Sequence, residues 1–188
     1  MSFKSLTFLK TSKSCWFCIF SLILSSFLSH LKKIFDFNSS SKLEGIVGKF
    51  WECFFFEKEK IVFTGDTLFS LGCGRIFEGD YKQMLNSLNT IKELPKDTKI
   101  YCGHEYTYKN AEFCIKYDKN NTNLIKHFEK IKKLRSIGQP TVPSTLDEEL
   151  KSNIFLRCDQ SDLKIKLNME NEEDFKVFTK VRDLKDSF

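Results

Sequence analysis

A chain of 188 residues is long enough for one domain with a real core, or one domain and a small appendage. A formal charge of +5, with both signs mixed along the chain, argues against a nucleic-acid binder and leaves room for an anionic small molecule. Seven scattered cysteines argue against a secreted disulfide framework and fit a reducing compartment such as the cytoplasm.

Residues 1–50 read differently from the rest. They are rich in Ser, Phe, Leu and Lys, contain no arginine, and reach their first acid only at Asp36. Lys4, Lys10 and Lys13 precede an apolar run from Cys15 to Leu28. Basic flank, apolar stretch and small residues make the layout of a signal peptide, although the run is short of the roughly 20 residues that cross a bilayer. Three readings stand side by side: an export signal or membrane anchor within residues 1–28, sequence from a shifted frame or decayed gene, or a genuine fold element. No periodicity is visible between Ser29 and Phe50. Cys15-x-x-Cys18 has redox or zinc spacing, but no second Cys or His pair accompanies it, and it reads as coincidence.

From Glu57 the pattern is orderly. Ile61–Thr64 is a β-branched and aromatic run, predicted as a buried strand and broken by Gly65. Leu71–Arg75 reads as a glycine-rich loop. Asp80 with Gln83 forms a helix-start box ahead of Met84, Leu85, Leu88 and Ile91 on one face, and Pro95 ends that helix. Lys99–Cys102 is a second strand, stopped at Gly103. Helical spacing follows at Leu124, Phe128, Ile131 and Leu134, with Gly138 and Pro140 as the stop. Thr145 and Glu148 cap a short helix, and acids at Glu172–Asp174 suit the first turn of a last one, whose face carries Val177, Phe178, Val181 and Leu184.

Asp66 and His104 each follow a strand and a glycine, a common way to present a polar side chain at a sheet end. Alone, Asp66 reads more readily as a turn cap than as a metal ligand, and His104 as a hydrogen-bonded sheet-edge residue. A carboxylate can bridge two divalent ions roughly 3.5–4 Å apart, which together activate one hydroxide. Of the other histidines, His30 lies in the N-terminal segment and His127 reads as a surface or boundary residue of its helix. Three histidines without a His-x-His pair cannot fill a two-zinc site, since each zinc takes about four ligands. Arg75 in its glycine-rich loop, and Arg182 with Lys185 on one side of the last helix, are candidate anion contacts; solvated loop and helix-end cations are the plain alternative.

Five strings carry a family resemblance: Phe63-Thr-Gly-Asp-Thr-Leu-Phe69, Gly72-Cys-Gly-Arg-Ile-Phe-Glu-Gly79, Tyr101-Cys-Gly-His-Glu-Tyr-Thr107, Pro143–Glu149 with Asn153–Arg157, and Val181–Phe188. Jointly and in order they resemble glyoxalase II, the hydroxyacylglutathione hydrolases of the metallo-β-lactamase fold, over about residues 54–188. The resemblance implies an α/β fold: the second half of an αβ/βα sandwich over residues 51–106, then a helical domain over 107–188, with residues 1–50 outside the family pattern. It implies a binuclear zinc site in which Asp66 bridges both metals and His104 binds the second. It places Arg75 and Tyr106 against the glutathione part, and Arg182 and Lys185 on its glycine carboxylate. Phe77 stands where the family often has a substrate-contacting tyrosine, so that hydroxyl is absent here.

The family's Thr-His-x-His-x-Asp-His and Pro-Gly-His-Thr strings do not occur in this sequence. Family character stops near residue 50, which a frame change or gene break explains most simply. The implied activity is hydrolysis of an S-(2-hydroxyacyl)glutathione thioester, with this chain truncated and inactive by itself. A non-catalytic remnant and a membrane-anchored glutathione-binding protein are the alternatives.

Overall fold

In the computed structural model, which describes residues 43–48, 51–76 and 79–188, a five-stranded mixed sheet carries the helices. Its spatial order is β1 (Leu43–Gly48), β2 (Trp51–Phe56), β3 (Ile61–Gly65), β6 (Lys99–Cys102) and β7 (Ser144–Thr145). All neighbours are antiparallel except β3 and β6, which run parallel with Val62 beside Ile100 and Gly65 beside Cys102. The crossover between them holds a small antiparallel hairpin, β4 (Leu68–Phe69) with β5 (Gly72–Cys73), and helix α1 (Tyr81–Lys92). Helices α2 (Thr107–Tyr117), α3 (Thr122–Ser136), α4 (Leu146–Ser152), α5 (Ser161–Lys166) and α6 (Asp174–Asp186) make up the rest, with a 3-10 turn at Ile154–Leu156. A mixed sheet followed by a helical region is the architecture that the resemblance implied.

Period-two alternation decides the two faces of the sheet. Cys53, Phe55, Val62 and Ile100 enter a continuous core with Met84, Leu88 and Ile91 of α1 and with Phe113, Phe155 and Phe178 of the helical part. Each fully buried side chain in this set contributes about 1.5–3 kcal/mol relative to exposure. On the other face Phe54, Phe63 and Tyr101 are cross-strand neighbours, and the last two rings stack at 5.4 Å.

The local signals fold as their chemistry dictates. Asp80 accepts from the Gln83 amide at 2.8 Å while the Gln83 side chain accepts from the Asp80 amide at 3.1 Å. Thr145 and Glu148 repeat the same reciprocal cap on α4. Gly138 takes φ +69° and closes α3 through its amide to the Arg135 carbonyl.

Four features differ from the sequence reading. Leu43–Gly48 forms a strand paired with β2, in a stretch that showed no periodicity. Leu71–Arg75, read as a loop, begins inside a hairpin in which Leu68 pairs with Cys73 and Phe69 with Gly72. Helix α6 starts at Asp174, so Glu172 precedes it. His127 is buried, not a surface residue, and its Nδ1 lies 3.0 Å from the Ser152 hydroxyl. The Cys15–Leu28 run, Cys18 and His30 lie outside the described residues. No helix among the described residues is long and apolar enough to cross a membrane.

Candidate active site

The parallel pairing of β3 and β6 brings two strand ends side by side, the usual place for a ligand in an open α/β sheet. The Gly103 amide donates to the Gly65 carbonyl at 2.9 Å, so the residues just beyond each strand face one another. Asp66 Oδ1 and His104 Nε2 stand 3.6 Å apart, both about half exposed. Glycine keeps both sides of this pair clear. A Cβ at Gly103 would lie 2.9 Å from Asp66 Oδ1, and one at Gly74 only 1.9 Å from the Asp66 carbonyl oxygen. Gly65 itself sits at φ +49°, which turns the chain out of β3.

His104 stacks on Tyr106 with ring centroids 5.0 Å apart, and Phe69 meets the edge of Tyr106 at 5.4 Å. Asp66, Arg75, His104, Tyr106, Arg182 and Lys185 all line one cleft of about 420 Å³. Phe77 lies outside the described residues.

The three cations of the cleft are not equivalent. Arg75 is exposed, with its Nε 3.3 Å from Asp186. Arg182 is buried, and so is not a solvated helix-end cation. Its Nη1 donates to the Cys73 carbonyl at 2.8 Å, its Nη2 to Asp186 at 2.9 Å, and its guanidinium covers the Phe155 ring at 5.2 Å. Much of its donor capacity therefore holds the backbone after β5, while its charge still reaches the cleft. Lys185 lies half-buried over Phe113 and Phe188, at 4.9 and 5.1 Å. Burial pushes its ammonium pKa down, and the Arg182 and Arg75 charges add to the effect. Arg75 and Arg182 share the Asp186 carboxylate and Lys185 adds a third cation, so this part of the cleft is net positive and suits a carboxylate ligand.

The chemistry of a metal centre needs more than one carboxylate and one imidazole. Catalytic zinc sites take about three protein ligands plus water. Among the described residues no three His, Cys, Asp or Glu side chains converge. Cys102 is near in the chain, but burial raises its thiol pKa and its Sγ faces the His104 carbonyl at 3.3 Å. The described residues therefore do not by themselves fit a hydrolytic zinc centre.

Three contributors were missed from sequence. Asn110 and Cys73 line the cleft, and Asp186 pairs with its two arginines. Asn110 follows Tyr106 by four residues, a spacing that puts both on one side of a helix, so it was findable. Asp186 stands four after Arg182, the same signal. Cys73 carried no signal of its own.

Comparison with known proteins matches the two halves of this architecture separately. Residues 53–104 match the metallo-beta-lactamase superfamily, and residues 105–188 match the hydroxyacylglutathione hydrolase C-terminus. Residues 53–188 of this chain belong to the hydroxyacylglutathione hydrolase family. The family's relatives include the hydroxyacylglutathione hydrolases of Pelagibacter ubique, 54% identical over 136 residues, and Bartonella henselae, 48% identical over 135. A third, from Chelativorans sp., is 49% identical over 135 residues. Each alignment covers 72% of this chain but 51% to 53% of the relative. The chain thus spans about half the length of the curated relatives it matches.

Proposed function

We propose that residues 51–106 and 107–188 form the glutathione-side half of a glyoxalase II-type active site, in the cytoplasm, and that the chain by itself does not hydrolyse the thioester. The substrate class is an S-(2-hydroxyacyl)glutathione, which the family converts to a 2-hydroxy acid and glutathione. The observation that carries this reading is the 3.6 Å approach of Asp66 and His104 in a cleft that Arg75 and Lys185 also line. Asp66 and His104 are the metal-facing residues; Arg75, Tyr106, Lys185 and the partly committed Arg182 hold the glutathione part. Tyr106 supports the peptide by contact, and the cations attract its carboxylates. Five described cysteines, Cys53, Cys73, Cys102, Cys114 and Cys158, are unbridged, in keeping with a reducing compartment. Zinc is the family's metal, but the two ligands named here are too few to hold a hydrolytic ion tightly.

The test separates binding from turnover. Purified chain with added zinc, assayed for thioester loss from lactoylglutathione, is expected to stay at background. S-methylglutathione, titrated by calorimetry, is expected to bind with Kd on the order of 1 mM. Arg75→Ala and Lys185→Ala should each weaken it by roughly fivefold to tenfold, the effect of one exposed charge-assisted contact. Turnover of about one per second, abolished by Asp66→Ala, would refute the inactivity. Absence of any S-methylglutathione binding would refute the pocket.

A further inference from the structure

The hairpin between Asp66 and Arg75, which lends Phe69 and Cys73 to the cleft, is held by side chains from elsewhere in the chain. Its own ladder is minimal, with Leu68 opposite Cys73 and Phe69 opposite Gly72. A two-stranded hairpin of this size has little stability of its own. Leu71 at its tip holds φ +57°, an unfavourable conformation for a residue with a γ-branched side chain. Something outside the hairpin must impose this shape.

Side chains from the helical region do so, one backbone group after another. The Leu71 amide donates to Glu149 Oε2 at 2.8 Å. The two hydrogens of Asn153 Nδ2 are shared among the Phe69 and Gly72 carbonyls at 3.3 and 3.2 Å and Glu149 Oε2 at 3.0 Å. Asn110 Nδ2 reaches the Ser70 carbonyl at 3.1 Å, Cys114 Sγ the Leu71 carbonyl at 3.2 Å, and Arg182 the Cys73 carbonyl at 2.8 Å. Five consecutive carbonyls, Phe69 to Cys73, thus each accept from a side chain of the helical region.

Glu149 and Asn153 are fully buried, and Glu149 Oε1 has no protein partner. A buried carboxyl group with one unused oxygen is costly, and an apolar residue in α4 would pack without that cost. The hairpin it holds ends at the cleft on both sides. The Gly74 amide closes it by donating to the Thr67 carbonyl at 3.2 Å, with Asp66 before and Arg75 after.

We propose that Glu149 and Asn153 are positioning residues for the cleft. They fix the Leu68–Cys73 hairpin and through it set the separation of Asp66 from Arg75, the metal-facing and glutathione-facing ends. This assignment rests on the cleft being the glutathione site. Neither residue lines the cleft, so they act on it through the hairpin.

The experiment uses the full chain and two readouts. Glu149→Ala is expected to lower hydrogen-exchange protection at the Leu71 and Gly74 amides by about tenfold more than at the sheet amides. It should also weaken S-methylglutathione binding by roughly fivefold or more, measured at a temperature where the variant is folded. Glu149→Gln keeps an oxygen for both the Leu71 amide and Asn153, and should restore both readouts to within about twofold. Leu124→Ala, a cavity in α3 far along the chain, is the comparison: it should lower the melting midpoint without changing the local exchange pattern or the binding constant. If Glu149→Ala does not fold, Asn153→Ser, which keeps an oxygen to cap the Phe155 amide, carries the same two readouts. A uniform loss of protection with unchanged binding, as in Leu124→Ala, would overturn the proposal. Should the wild-type chain bind no S-methylglutathione, the functional reading fails, and the exchange pattern at Leu71 and Gly74 still decides whether the hairpin is held as described.

Discussion

Replacing Asp118 by alanine is expected to cost about 3–5 kcal/mol of folding stability, the range for breaking a buried ion pair from one side. The Asp118 carboxylate is fully buried and accepts from three donors: Arg157 Nη1, Lys166 Nζ at 2.5 Å and Asn121 Nδ2 at 2.8 Å. Arg157 is itself buried and reaches on to Asp162. One carboxylate thereby joins the end of α2, the cap of α3, the Ile154–Leu156 turn and α5. Alanine would leave the Arg157 guanidinium in the interior facing no charge but Asp162. Urea titration measures the loss, and the double variant Asp118→Leu with Arg157→Met should recover most of it, because no uncompensated charge then remains. A single-variant loss below about 1 kcal/mol would mean that water reaches the network and screens it.

The rim of the same network predicts the acid response. Burial pushes the Asp162 carboxyl pKa up, but the Arg157 and Lys166 charges outweigh it and hold the group below its ordinary value. Asp159 behaves alike, burial being outweighed by its bond to Lys92. Both pKa values are lowered on folding, so their stabilisation is complete above the unfolded value and is lost as pH falls through the folded one. The urea midpoint should therefore decline below about pH 4, and Asp162→Asn should flatten part of that decline.

This network also marks where sequence reading stops. The two reciprocal caps, the strands halted by glycine and the stop of α3 were legible because each signal lies within four residues. The Asp118, Arg157 and Lys166 contacts join positions 39 and 48 residues apart, and no local pattern announces them. The same holds for Glu149 against Leu71. His127 was misread for a different reason. It stands three after Leu124 and four before Ile131, so the spacing that defined the buried face includes it, and only its polarity argued otherwise. Its burial is supported by Ser152, which spacing alone could not supply. Strand β1 was hidden because Gly45 and Gly48 weaken any strand pattern, and its pairing with β2 overrides that weak propensity. The meeting of Asp66 with His104 came from the family strings, since a parallel pair separated by a crossover leaves no trace in spacing.

The largest single effect at the site itself is expected from Gly74→Ala. A Cβ there would stand 1.9 Å from the Asp66 carbonyl oxygen, a backbone atom with nowhere to move. Asp66 is pinned on both sides, since the Thr64 carbonyl accepts from the Thr67 amide at 2.9 Å and the Gly74 amide bonds Thr67 in turn. The turn must open or the hairpin must leave, at a cost of about 3 kcal/mol or more, above the usual range for an overpacked interior. S-methylglutathione binding should fall with it, because Asp66 and Arg75 lie on the two arms of that turn. Gly103→Ala separates geometry from stability. Its Cβ would meet Asp66 Oδ1 at 2.9 Å, the tip of a half-exposed side chain that can swing aside. That variant should lose less than about 1 kcal/mol, while Asp66 is driven from its place beside His104. Gly138→Ala is the reference for backbone conformation alone: nothing lies within 4 Å of its Cβ, and only its φ of +69° opposes alanine, at about 1–2 kcal/mol. Thermal melts of the three variants should rank Gly74→Ala far below Gly138→Ala, with Gly103→Ala nearest the parent. A Gly74→Ala melt close to that of Gly138→Ala would mean that the hairpin yields freely, and that the closure of Thr67 on Gly74 does not hold Asp66 at the strand end.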